Sequence, residues 1–117
     1  MRIVLEGLLS NPALAASLTW EAFRPGIEAA WLYRAGPEGP AAAVLRYAPG
    51  AAAPRHRHQG WEHIFVLSGS QADQHATYEA GSFVANPPGT EHSVTSQDGC
   101  LALLVWERTP MFLEDGA

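Results

Sequence analysis

Short apolar runs alternate with turn formers along the whole chain. Glycine and proline recur at Gly7, Pro12, Pro25-Gly26, Gly36-Pro37, Gly39-Pro40, Pro49-Gly50, Pro54, Gly60, Gly69, Gly81, Pro87-Pro88-Gly89 and Gly99. Between them lie runs too short for most helices and long enough for strands. This punctuation predicts an all-β domain of many short strands, a sandwich or a barrel. Arg2 to Leu5 reads as a first strand. Pro12 to Leu18 has the one helix-like composition, with Asn11 as N-cap and Pro12 at the first helical position, and is at most one or two turns long. Further strands are expected over Trp20 to Phe23, Ile27 to Tyr33, Ala41 to Ala48, Ser82 to Asn86, His92 to Thr95 and Cys100 to Glu107. Ser68-Gly69-Ser70 reads as a turn. The polar segment Gln71 to Ala80 reads as a strand entering a hairpin at Glu79-Ala80-Gly81.

The segment from Ile64 to Leu67 is apolar on both faces: Ile64 and Val66 share one, Phe65 and Leu67 the other. A strand buried on both sides needs a second sheet on one side and a subunit partner or covering segment on the other. Met111, Phe112 and Leu113 are expected to cover something, and 114–117 to fray. No repeat, low-complexity tract or linker interrupts the pattern. The expected organisation is a single domain over 1–117, with a barrel core at about 20–108, an N-terminal strand and short helix over 1–19, and a tail over 109–117.

Composition narrows the classes. The 117 residues are 47% hydrophobic and 16% charged, enough for a core and too apolar for disorder. The formal net charge is -5, and the seven basic residues, all arginines, are scattered. That argues against nucleic acid and against an anionic membrane surface. No apolar run reaches a membrane span. Glu6 and Asn11-Pro12 interrupt the N-terminal apolar stretch, which therefore reads as part of the fold and not as a signal peptide. The lone Cys100 cannot form an internal disulfide, which fits a reducing, cytoplasmic location, and it excludes a CxxC metal site.

The candidate chemistry sits in Gly50 to Gly69, GAAAPRHRHQGWEHIFVLSG. His56, His58 and Glu62 are separated by even intervals, so a continuous strand places all three on one face. Imidazoles with a carboxylate suit a divalent metal such as Zn, Fe, Mn, Ni or Cu. The alternative is a solvated strand with polar residues. A second stretch, GSFVANPPGTEHSVTS, carries His92 just after a tight turn, from which a neighbouring strand could present it to the same face. His63 falls on the opposite face and reads as a surface or interface residue, and His75 as solvated. Cys100 reads as a packed small hydrophobe. Tyr47, Trp31 and Trp106 line the barrel or fill its core. Gly60 either leaves space near the metal or makes a plain turn.

These residues resemble the two motifs of the cupin superfamily. The first, G-x5-H-x-H-x3-E-x6-G, is met by Gly50, His56, His58, Glu62 and Gly69. The second, G-x5-P-x-G-x2-H-x3-N, is met by Gly81, Pro87, Gly89 and His92, with Ser96 where the family commonly has Asn. The resemblance implies an antiparallel jelly-roll barrel, or double-stranded β-helix, with one divalent metal (Zn, Fe, Mn or Ni) held by His56, His58, Glu62 and His92. In some cupins the carboxylate coordinates weakly or swings away. From about Trp20 to the last strand the chain also resembles the cupin-like domain of ChrR-type anti-sigma factors, with Asp73 in a hairpin between the motifs and Gly99-Cys100 opening the last strand.

Two functions follow as expectations. One is a mononuclear metal enzyme, such as a dioxygenase acting on a diketone or hydroxyketone, or a related lyase or isomerase, with Glu62 accepting a proton. The other is a non-catalytic module that senses a ligand or oxidant. Either would take a small molecule in the barrel, and the resemblance implies a homodimer. These residues hold no zinc-binding helical domain of the anti-sigma type, so the chain is not expected to sequester a sigma factor by itself.

Overall fold

The computed structural model describes residues 2–113; the expectation for 114–117 lies outside the described residues. The chain forms a curled antiparallel sheet of ten strands. They are β1 (Glu21–Arg24), β2 (Ile27–Arg34), β3 (Ala41–Tyr47), β4 (Ala51–Arg57), β5 (Glu62–Ala72), β6 (Thr77–Glu79), β7 (Phe83–Asn86), β8 (Glu91–Ser96), β9 (Cys100–Trp106) and β10 (Met111–Phe112). Hydrogen bonding runs in the order β1-β2-β3-β9-β5-β8-β4-β10, with β6 and β7 attached to β5. The all-β jelly-roll expectation holds.

Alternation along the strands sorts side chains into two clusters. Ile27, Ala29, Ala41, Ala43, Leu45, Ile64, Val66, Ala102, Leu104 and Trp106 point into the barrel. Ala30, Val44 and Leu67 point outward, and Leu5, Leu8, Leu14, Leu18 and Trp20 of the N-terminal segment pack over them. The cover required by the two-faced strand β5 is therefore supplied by this chain. Only a 3₁₀ turn at Ala15–Ser17 realises the expected helix, and Asn11 Oδ1 accepts from the Ala13 N–H. Arg2 to Leu5 is not a strand: it follows the curved outer surface with no ladder partner among the described residues.

Two further expectations are corrected. Ser68-Gly69-Ser70 is no turn but a bulge inside β5, where the register against β9 shifts between Val66 and Ser68. Gly69 adopts φ 69° there, and a Cβ at this position would run into the Gly99 carbonyl. A bulge bends the strand without ending it, so β5 passes from one half of the barrel to the other. As a result, Gln71 and Ala72 belong to β5, and the separate hairpin strand shrinks to Thr77–Glu79.

Candidate metal centre

Four side chains meet inside the barrel: His56, His58, Glu62 and His92, all at least 96% buried. They do not come from one strand. His56 is the penultimate residue of β4, His58 lies just beyond its end and before the bend at Gln59-Gly60, and Glu62 begins β5. The even spacing survives the bend, but the single-strand premise fails, because Gln59 to Trp61 are clamped onto the chain after β9. Trp61 N–H donates to Glu107 Oε1 at 3.0 Å, and Gln59 Nε2 donates to the Thr109 carbonyl at 2.8 Å. Gly60 serves this clamp and not the metal cavity: a Cβ on it would sit 3.0 Å from the Arg108 nitrogen. His92 arrives as expected, directly across the β4–β8 ladder from His56. The Pro87-Pro88-Gly89 turn is tied to the first motif, since Gly89 N–H donates to the His58 carbonyl at 2.8 Å and His58 N–H to the Thr90 carbonyl at 2.9 Å.

The ligand atoms lie within 4.8 Å of one another. His58 Nε2 is 3.2 Å from His92 Nε2 and 3.0 Å from Glu62 Oε1, and His92 Nε2 is 3.7 Å from that oxygen. Donors bound at about 2.1 Å to a tetrahedral or octahedral ion stand about 3.0–3.4 Å apart. The cluster fits a first-row divalent metal with little rearrangement.

The second ring nitrogens set the tautomers. His56 Nδ1 faces the Pro54 carbonyl at 2.9 Å, and His92 Nδ1 faces Asp73 Oδ2 at 3.3 Å. Both partners accept only, so both Nδ1 atoms carry hydrogen. His58 Nδ1 lies 2.8 Å from Thr90 Oγ1, whose own hydrogen goes to the Pro87 carbonyl at 2.7 Å. That hydroxyl therefore accepts from His58. All three imidazoles are left with an Nε2 lone pair turned inward, the arrangement that metal-binding histidines require. Between His58 Nε2 and His92 Nε2, either a proton or a cation has to sit.

Glu62 is held at both oxygens: Trp106 Nε1 donates to Oε2 at 2.7 Å and Asn86 Nδ2 to Oε1 at 3.1 Å. Here the carboxylate is fixed, in contrast to the swinging Glu of some cupins. Burial opposes its charge, yet the His58 and His92 rings against Oε1 overcome burial and hold its pKa well below the usual carboxylate range. Burial lowers the pKa of His56. At His92 burial is outweighed by Glu62 and Asp73, and the pKa rises. Glu62 is a buried carboxylate and Asp73 a half-buried one, with no arginine against either among the described residues. A site so rich in anions and lone pairs calls for a cation.

Sequence reading placed the four cluster residues together and set His63 and His75 apart, and both are exposed. Cys100 is buried, and burial raises its thiol pKa, as for an inert packed cysteine. Ser96, fully buried, donates to the Ser70 carbonyl at 2.6 Å and ties β8 to the bulge. The sequence puts Trp106 on the barrel wall or in its core and Asp73 in the hairpin, but it does not give the hydrogen bonds by which Thr90, Asn86, Trp106 and Asp73 support the cluster. Thr90 and Asn86 lie within the second motif at its unspecified positions, and Asp73 lies in the hairpin, so position hinted at them while their roles needed coordinates.

Comparison with known proteins agrees with the fold. The chain belongs to the ChrR cupin-like domain family, whose profile matches residues 13–109. A protein of Cereibacter sphaeroides with the provisional name dimethylsulfoniopropionate lyase DddL is 32% identical over 81 residues, 61% of this chain and 35% of that protein. The chain thus spans about a third of that relative's length. Among solved structures, the Rhodobacter sphaeroides complex of SigE with the anti-sigma ChrR superposes with a TM-score of 0.72 at 24% identity, covering 89% of this chain and 61% of that one. An acetylacetone dioxygenase from Acinetobacter johnsonii superposes with a TM-score of 0.67 at 15% identity, covering 83% of each chain.

Proposed function

We propose that this chain is a metal-binding cupin in which His56, His58, Glu62 and His92 ligate one divalent transition metal ion (Zn, Fe, Mn or Ni) and act on a small oxygen-chelating molecule such as a diketone or hydroxyketone. The observation that carries this reading is the convergence of three inward Nε2 lone pairs and Glu62 Oε1 in one buried cluster. A bound ion would supply Lewis acidity toward a chelated carbonyl and, as iron, redox chemistry with O2. The protein's share is to fix the donors, exclude water with Ile64, Leu104 and Trp106, and offer Tyr47 and Gln71 as polar groups in the cavity wall. Burial keeps Tyr47 a neutral phenol, hence a donor. Glu62, with its lowered pKa and both oxygens engaged, suits ligation better than proton acceptance.

The ChrR family match favours a second reading, a ligand- or oxidant-sensing module. Oxygen uptake by iron-loaded protein with acetylacetone separates the two. Turnover supports the enzyme; stoichiometric metal with no turnover of diketones or hydroxyketones supports the sensor. We further propose a homodimer in the cytoplasm. Trp61, 45% exposed, and Phe83, 62% exposed, flank His63 as an uncovered aromatic row on the outer face of β5 and β7. Sedimentation at micromolar concentration decides whether the chain is a dimer or a monomer.

A further inference from the structure

Among the described residues the sheet leaves free edges at β1, β10, β6 and β7, and β1 and β10 face each other across a seam in the barrel wall. The path of the sheet begins at β1 and ends at β10, and among the described residues no ladder joins these two edges. Among the described residues, side chains close the gap. Phe23 of β1 meets Phe112 of β10 edge to face, with centroids 5.9 Å apart and planes at 71°. The Arg24 guanidinium lies 3.8 Å from the centre of the Phe112 ring. On its inner side Phe112 stands 5.1 Å from the His56 ring, so the seam lies directly over the metal cluster.

The space on the two sides differs sharply. The cavity beside His56, Glu62 and His92 holds about 20 Å³, room for one water molecule. Outside the seam is a groove of about 210 Å³. Phe23, Trp106, Pro110 and Phe112 line both, so these side chains are the partition between them. An organic ligand that chelates through two oxygens occupies several times the volume of one water, about 30 Å³ in the liquid. Such a ligand reaches the cluster only when the partition moves.

The strand that carries Phe112 is a short edge element. Among the described residues β10 is two residues long and pairs with β4, through Met111 opposite Arg57 and Phe112 opposite His56. One further hydrogen bond, Leu113 N–H to the Arg55 carbonyl at 3.1 Å, continues the ladder. Short edge elements with few ladder bonds open at the lowest free-energy cost in a fold. β1 is four residues long with an irregular register between Ala22 and Arg24.

We propose that the β1/β10 seam is the entrance to the metal cavity and that Phe112, packed on Phe23, is the gate that sets the size of ligand admitted. The proposal rests on the metal reading above and adds to it a route and two specificity-determining residues. Removing the Phe112 ring joins cavity and groove without replacing a ligand of the metal.

Cobalt-loaded protein tests this without reference to turnover. Metal content is measured first, and acetohydroxamate and azide are then mixed in while the visible cobalt bands report binding. Phe112→Ala is expected to bind acetohydroxamate about tenfold faster than wild type, as for removal of a lid, with a smaller gain for the slimmer azide. Phe112→Leu and Phe23→Leu keep an apolar wall, guard against loss of folding, and are expected to fall between. Leu9→Ala, exposed on the N-terminal segment, leaves the rates unchanged. Cobalt-bound variants that all bind acetohydroxamate at the wild-type rate overturn the gate and leave the metal site standing. A wild type that takes up no cobalt overturns both.

Discussion

At His92 two carboxylates meet one imidazole. Asp73 Oδ2 faces Nδ1 at 3.3 Å and Glu62 Oε1 faces Nε2 at 3.7 Å, and together they outweigh burial and raise the pKa of the ring. Without metal, His92 therefore holds a proton to higher pH than an ordinary histidine, and Nε2 can share it with His58 Nε2 3.2 Å away. A metal ion has to displace that proton. The folded-state pKa is raised, so the imidazolium stabilises the metal-free fold fully below the ordinary histidine range, and this contribution is lost as pH rises through the raised value. Metal affinity has the opposite dependence: it falls about tenfold per pH unit below that value, where one proton competes. Calorimetric zinc titrations in buffers of different ionisation enthalpy are expected to show proton release near neutral pH. Release is expected to be smaller in Asp73→Ala, which loses one of the two groups that raise the pKa. Equal release in both proteins would contradict this account of His92.

At the scale of elements, the N-terminal segment does what a strand would not. It lies over the outer face of β3, β5 and β9 and buries Leu14 against Ala30, Val44 and Leu67. Trp20 Nε1 donates to the Ala15 carbonyl at 2.8 Å, and the Arg46 guanidinium stacks on the Trp20 ring at 4.1 Å. Leu14 is 4% exposed, so Leu14→Ala removes a core-like contact at a cost of about 2–5 kcal/mol. Urea unfolding measures this, and a change below about 0.5 kcal/mol, the range of ordinary surface substitutions, would show that the segment is not part of the folded unit. The pattern of apolar residues called for such a cover over Phe65 and Leu67. It could not say which segment supplies it, because a cover without hydrogen-bonded ladders leaves no periodicity to read. The bulge at Gly69 was hidden for a related reason: Ser-Gly-Ser has the composition of a turn, and only the cross-strand register shows that the ladder continues.

For the whole molecule, the strands were legible because Gly and Pro separate them cleanly and the interior positions alternate. The four cluster residues were legible because two motifs carried them. The parity argument that first joined His56, His58 and Glu62 assumed one extended strand, and the bend at Gln59-Gly60 breaks it; the residues still meet, because Glu107 and Thr109 hold the bend so that both halves face inward. The hydrogen bonds that fix tautomers and carboxylate come from distant segments. Asp73, Asn86, Thr90 and Trp106 are far from His56 and Glu62 in sequence, and no local pattern encodes them. The β1/β10 seam is likewise a property of the closed sheet order and of no single strand.

The central claim is that this buried cluster holds a metal ion. Its most direct test is elemental analysis of purified wild type beside His56→Ala and His92→Ala, each dialysed against the same metal and checked for folding by circular dichroism. About one divalent ion per chain in the wild type, falling by at least tenfold in folded variants, is the expected result. Folded wild type without bound metal, or variants that retain it in full, would contradict the claim.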